Sequence, residues 1–252
     1  MPYEVYSDDE VSMFTTTQTQ QLLSATNALD TYPIDLLIVG ATGSGKSTTI
    51  AALMPKGKRK QSNKRSLLPD IHPMEHYQVH PRLRIWDSMG PGDSPKRDEL
   101  HEQDINRLLQ QSYPYQRKHY AFIDMVLLII DGSSRDIGTA IRLINNALLP
   151  NIPIERIVIA INQADRAMKG LHWNTLTKTP CTPLKHYLAL QSQSIQQRLT
   201  LSCKHHLRLP VCYSDRHRYQ LSELLTSLLQ SLPREKREVV EYPHHSIKTN
   251  AT

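Results

Sequence analysis

The sequence predicts a three-layer α/β fold, with a mostly parallel central sheet and helices on both faces. Three observations carry that expectation. Predominantly apolar runs recur at residues 34–39, 125–130 and 156–161, with Asp35 and Arg156 as the charged exceptions, as strands buried on both faces require. Segments with helical spacing of apolar residues alternate with them. The first run passes directly into a glycine-rich loop, Gly40-Ala41-Thr42-Gly43-Ser44-Gly45-Lys46-Ser47-Thr48, and then into a helical stretch ending at Met54.

The elements follow in order. Residues 1–30 are polar, with a short helix over 18–29, and are set apart as an N-terminal segment. Residues 55–70, rich in basic residues, read as a mobile loop. Two strands at 77–80 and 83–86, split by Pro81, could form a hairpin. Asp87-Ser88-Met89-Gly90-Pro91-Gly92-Asp93 breaks the chain into a loop, and a helix follows over 98–111. Strand 125–130 leads to a helix over 136–149, and strand 156–161 ends in Asn162-Gln163-Ala164-Asp165. Residues 170–182 read as loop, 183–199 as helix, 209–213 as the last strand and 221–232 as the last helix. The core domain is expected over 31–233. The charged, then polar segment 234–252 is expected to be disordered.

Composition bounds the function. The chain has 252 residues, 39% apolar and 21% charged, which suits a soluble protein with a sizeable core. At roughly 150 residues per domain, it is one large domain or two small ones. Its apolar runs fall far short of the roughly 18 residues that a membrane span needs. Asp8, Asp9 and Glu10 stand where a signal peptide carries positive charge. A cytoplasmic protein without a transmembrane segment is expected. The three cysteines form no disulfide spacing, and no CxxC or HExxH motif accompanies the 12 histidines, which read as solvated surface groups.

Three loops carry chemistry, and in such a sheet all leave strands at their carboxyl ends. Gly40-x-x-x-x-Gly45-Lys46-Ser47 fits the phosphate-loop pattern. Its backbone N–H groups, from Ala41 to Thr48, would turn inward around phosphates at a helix N-terminus. Lys46 would reach the β- and γ-phosphates, and Ser47 would offer its hydroxyl to Mg2+. Asp87, ending a buried strand, can hold Mg2+ through water. Gly90 can bring its N–H to the γ-phosphate. Asn162, Gln163 and Asp165 form the third loop. A carboxylate there can accept the N1–H and N2–H2 edge of guanine, which adenine lacks. GTP or GDP is therefore the expected ligand.

The ordered set Gly40 to Ser47, Asp87 to Gly90 and Asn162 to Asp165 resembles the Era-like (TrmE-Era-EngA-type) branch of the P-loop GTPases, over about residues 34–233. Within it the chain is most similar to the bacterial YfjP/YeeP-type GTPases, through Gln163 in place of the usual lysine and through His172-Trp173. The resemblance implies the Ras-like P-loop NTPase fold. It also implies a base-contacting loop at Ser214-Asp215, altered from the family's Ser-Ala. Three departures bear on activity. Glu75 stands where a switch threonine is expected, Pro91 where Ras-like enzymes have a glutamine, and Gly43 where potassium-activated members have an asparagine. No potassium stimulation is expected. A slowly hydrolysing guanine-nucleotide switch is the reading, with Lys46, Asp87 and Gly90 as its catalytic groups. A non-hydrolysing nucleotide-dependent scaffold is the alternative.

Lys56, Lys58, Arg59, Lys60, Lys64 and Arg65 place six cations in ten positions of a chain with net charge +6. Such a run is ordinarily a solvated loop. Its functional reading is an arm that contacts an acidic partner such as RNA, the ribosome or a protein.

Overall fold

The computed structural model describes residues 14–27, 33–54, 63–65, 74–88, 95–115 and 117–239. Three strands form the centre: β1 (Ile34–Gly40), β7 (Met125–Asp131) and β8 (Ile157–Asn162). Every residue of β1 and β8 is buried, as are the first six of β7. Strands without a polar face need cover on both sides, and parallel pairing with crossover helices supplies it.

The remaining strands are β2 (Asn63–Arg65), β3 (Met74–His80), β4 (Leu83–Asp87), β5 (Ser112–Tyr115), β6 (Lys118–Ala121), β9 (Trp173–Asn174), β10 (Thr179–Pro180) and β11 (Val211–Cys212). Among the described residues the main sheet has seven strands, in the order β11-β8-β7-β1-β4-β3-β2. β3 pairs antiparallel with both β2 and β4; the other pairs are parallel. The expected mostly parallel three-layer architecture is therefore present. The hairpin expected at 77–86 is β3–β4.

Among the described residues six α-helices cover the sheet: α1 (Thr16–Asn27), α2 (Lys46–Leu53), α3 (Pro95–Gln110), α4 (Gly138–Leu143), α5 (Thr182–Cys203) and α6 (Leu221–Gln230). Alternate side chains of β1 enter opposite cores. Leu37 and Val39 pack with Ile105 and Leu108 of α3, Leu143 of α4 and Leu188 of α5. Leu36 and Ile38 pack with Leu22 of α1, Ile50 of α2 and Leu224 of α6.

Several elements depart from the sequence expectation. β2 lies within the segment read as loop; the rest of 55–70 lies outside the described residues. Hairpins β5–β6 and β9–β10 are additional. The helix expected over 136–149 is α4 followed by a π-helical stretch, Ile144–Leu148. The last strand is shorter than expected. α1 docks on α6: Gln18, buried despite its polarity, donates to the Ser222 carbonyl at 3.0 Å and to Thr226 Oγ1 at 3.1 Å.

Residues 235–239, assigned by composition to a disordered tail, are hydrogen-bonded to the domain; 240–252 lie outside the described residues. Lys236 Nζ reaches fully buried Asp124 at 2.6 Å, and Asp124 also accepts the Asp35 N–H at 2.9 Å. Arg237 donates to the Leu109 carbonyl at 2.7 Å and to the Asn151 carbonyl. The Ala121 and Val239 N–H groups complete a backbone ladder between this segment and β6. Asp35 itself takes a two-point bond from Arg84, at 2.6 and 2.9 Å, and a 2.6 Å bond from Trp86 Nε1. This ionic network closes the end of the sheet where β1 and β7 begin.

Removing one partner of a buried pair strands the other charge. Lys236→Ala should cost about 3 kcal/mol of unfolding free energy, read by urea denaturation. Adding Asp124→Asn to that variant should recover part of the loss.

Candidate nucleotide-binding site

The carboxyl ends of β1, β4, β8 and β11 meet at an open cleft of about 810 Å³. Thr42, Gly43, Gly45, Lys46, Ser47 and Thr48 line it from the loop between β1 and α2. Asp87 and Ser88 line it from β4, Gln163, Asp165 and Arg166 from the loop after β8, and Asp215, Arg216 and Arg218 from the loop after β11. The four sequence-predicted segments thus converge. Gly90 and Pro91 lie outside the described residues. Backbone register sets Glu75 of β3 opposite Asp87 of β4, at the cleft end of the sheet.

Glycine is required twice in the first loop. A Cβ on Gly40 would lie 2.3 Å from the Ile129 carbonyl oxygen. Gly45 has φ +92°, and a Cβ there would lie 2.1 Å from Asn162 Nδ2. Side chains rarely adopt such a φ. The close approach brings the start of α2 directly against the loop after β8.

Lys46 is buried and folds back, its ammonium donating to the Gly40 carbonyl at 3.0 Å and the Ala41 carbonyl at 3.2 Å. Burial pulls its pKa below the ordinary lysine value, and the nearby Asp87 charge opposes that shift. Ser47 Oγ donates to Asp87 Oδ2 at 2.7 Å. A hydroxyl and a carboxylate oxygen side by side fit the hard, oxygen-preferring Mg2+, which takes few protein ligands and completes its shell with water and phosphate. Among the described residues there is no cluster of three or more His, Cys, Asp or Glu suited to a metal.

Asn162 is fully buried and ties the loops together. Its amide donates to the Ser44 carbonyl at 3.0 Å and to Asp215 Oδ2 at 2.9 Å, while its Oδ1 accepts the Asp215 N–H at 3.2 Å. Gln163, at φ 61°, donates to the Gly43 carbonyl at 2.6 Å and accepts from Arg166 at 3.0 Å. Thr48 Oγ1 donates to Asp215 Oδ2. Beneath the loop, Thr49 Oγ1 and Tyr213 Oη lie 2.7 Å apart in the core.

Asp165 is buried, and Ser214 Oγ donates to its Oδ1 at 2.7 Å. His217 Nε2 lies 3.6 Å from the other oxygen, an ion pair when the ring is protonated. Trp173 packs beside His217, with ring centroids 5.2 Å apart, and edge-on to Tyr219. His217 and the arginines at 166, 216 and 218 were not singled out from sequence. Arg216, His217 and Arg218 stand in one short segment after Ser214, a local charge signal eclipsed by the denser run at 56–65.

No protein-family model matches the chain, and no curated protein matches it by sequence. Solved structures do. Toc33 from Arabidopsis thaliana, in complex with GDP and Mg2+, superposes with a TM-score of 0.54 at 12% identity, covering 89% of this chain and 96% of that one. A mutant of S. thermophilus NFeoB bound to mGDP gives 0.44 at 14% identity over 79% and 61%. A mutant of Aquifex aeolicus Era bound to GDP and AlF4- gives 0.44 at 18% identity over 79% and 56%. The chain thus spans less than two thirds of the NFeoB and Era chains. The Toc33 superposition shows a shared fold, a three-layer α/β fold with a phosphate-type loop after its first strand. Among the described residues no helix is long and apolar enough to cross a membrane.

Gly45→Ala forces a strained φ and a clash with Asn162. It should lower the unfolding free energy by about 2 kcal/mol or more, measured by chemical denaturation followed by circular dichroism.

Proposed function

We propose that the chain is a guanine-nucleotide switch that binds GTP and GDP with Mg2+ and hydrolyses GTP slowly. The observation that carries this reading is the convergence, on one cleft, of a glycine loop at a helix N-terminus, the Ser47–Asp87 oxygen pair and the buried Asp165 carboxylate. In it the loop from Ala41 to Thr48 wraps the phosphates. Lys46 leaves the Gly40 and Ala41 carbonyls for the β- and γ-phosphates. Ser47 and Asp87 would hold Mg2+, which would supply positive charge beside the transferring phosphoryl group. Asp165, oriented by Ser214, accepts the guanine edge. Asn162 and Gln163 brace the base against the phosphate loop, and Ser214 and Asp215 close the base end. Gly90 is assigned the γ-phosphate contact from its motif alone. The GDP and Mg2+ of the Toc33 structure support the ligand. Gln163 and Trp173 support an Era-like domain of the YfjP/YeeP type. The reading implies a cytoplasmic protein whose basic run, ending at Lys64 and Arg65 of edge strand β2, meets an acidic partner.

A second reading, a scaffold that binds nucleotide without hydrolysing it, is favoured by Glu75 opposite Asp87 and by Pro91. Single-turnover hydrolysis separates the two.

Calorimetry should give binding of GDP and none of ATP. Asp165→Asn should weaken GDP and favour XDP, whose 2-oxo group suits an amide donor. Equal affinity of the unaltered protein for ATP and GDP would sink the guanine assignment.

Unaided turnover at saturating GTP should be about 10⁻³ s⁻¹ or slower. A multi-turnover phosphate-release assay on the purified chain checks it; a rate near 1 s⁻¹ would reveal a complete catalytic apparatus.

A further inference from the structure

We infer that His217 is a positioning residue of the base site: when protonated it draws the Asp165 carboxylate away from the guanine edge, so that the site holds guanine less tightly as the pH falls. The inference rests on the switch reading and deepens it.

The short loop after β11 grips buried Asp165 at both oxygens. Ser214 Oγ donates to Oδ1 at 2.7 Å, and His217 Nε2 stands 3.6 Å from Oδ2. The loop is itself closed. The Ser214 N–H donates to the Tyr219 carbonyl at 3.1 Å, and the Tyr219 N–H returns a 3.0 Å bond to the Ser214 carbonyl. The His217 N–H donates to Ser214 Oγ at 3.2 Å. The imidazole packs on Trp173, with ring centroids 5.2 Å apart, and Trp173 stands edge-on to Tyr219. This packing keeps the ring beside the carboxylate. Arg216 and Arg218, its neighbours in sequence, line the cleft.

A guanine edge offers two parallel donors, N1–H and N2–H2, and both carboxylate oxygens must face them. Oδ1 already takes the Ser214 hydroxyl. At 3.6 Å the His217 contact is longer than a hydrogen bond, so Oδ2 remains open to the base. A protonated ring changes that. Charge-assisted N–H···O bonds close to about 2.7–2.9 Å. Closing this one turns Oδ2 toward His217 and sets a full positive charge beside the oxygens that guanine's donors must approach. Ring and base then compete for one oxygen, and the free site holds the proton better than the complex does. Base binding therefore expels the proton, and affinity falls as the pH drops through the window of about 8 to 5 in which histidine changes charge.

The titratable and charged groups around the ring are Asp165 with Arg166 next to it, His172 beside Trp173, and Asp215, Arg216, Arg218 and Tyr219 of the same loop. Burial pushes the Tyr219 hydroxyl above its ordinary range, so it stays neutral throughout that window. His172 shares the histidine chemistry and is the control.

The test is calorimetry of the full chain, His217→Gln and His172→Gln against guanosine and against GDP in Mg2+, from about pH 8 down to about pH 5.5. Guanosine has no phosphate, so phosphate titration adds nothing to its slope. Its affinity for the unaltered chain should fall about fivefold over that range. His217→Gln should flatten the slope, and His172→Gln should keep it. For GDP, whose phosphates also titrate, the readout is the affinity of His217→Gln relative to the unaltered chain, which should grow as the pH falls. One measurement needs no variant: near pH 6 ligand binding should release protons, read from the dependence of binding heat on buffer ionisation. Once the phosphate contribution seen in His217→Gln is subtracted, GDP should do the same. A flat guanosine profile, tighter guanosine binding on acidification, proton uptake with guanosine, or a slope that survives in His217→Gln overturns the inference and leaves the switch reading standing. If the unaltered chain binds neither guanosine nor GDP at about pH 8, the switch reading fails and the inference falls with it.

Discussion

The side-chain amide of Asn162 has no access to solvent, and its hydrogen bonds join three of the four segments that line the cleft. It donates to the phosphate loop through the Ser44 carbonyl and exchanges two bonds with Asp215, one by its amide and one by its oxygen. A buried amide left unpaired costs more than a paired one contributes. The loops therefore stay in register or lose several bonds together. Gly45 is a glycine because this amide occupies the space of its Cβ. Gln163 repeats the arrangement one residue on, reaching the Gly43 carbonyl at 2.6 Å. Two consecutive amides from the end of β8 thus hold the phosphate loop from one side.

Much of this was legible in the sequence, for physical reasons. Strands β1, β7 and β8 announce themselves because burial on both faces leaves them almost wholly apolar between their ends, Asp35 near the start of β1 apart. The glycine loop, Asp87, Asn162 to Asp165 and Ser214-Asp215 follow strand ends directly, so pattern and place agree. The small hairpins were hidden because their turns use unexpected residues. Arg117 turns β5–β6 at φ 66°, and Lys178 turns near β9–β10 at φ 55°; neither carries the glycine or asparagine that marks such a turn. Pro114 and Pro180 further disguise the strands. Residues 235–239 looked like tail because they are charged, yet the Lys236 charge has a buried partner, Asp124, 112 residues away. The contacts of Asp165 with Ser214 and His217, and of Asp215 with Thr48, also needed tertiary register to be seen.

The cleft is built so that most of its polar groups are engaged before any ligand arrives. Lys46 rests on two carbonyls, Ser47 on Asp87, Thr48 and Asn162 on Asp215, and Ser214 on Asp165. A ligand must exchange these bonds for its own, so net affinity reflects a difference between two satisfied states. That preorganises the donors without leaving them bare.

The clamp of Asp124 on Lys236 and the cleft lie at opposite ends of the same strands, separated by roughly 20 Å of seven-residue strand. Over such a distance substitutions ordinarily combine additively. One end of the sheet can then accumulate changes that alter persistence of the folded chain, and the other changes that alter what it holds. Divergence of ligand preference in this scaffold need not await compensation elsewhere, because the two ends draw on separate reserves of tolerance.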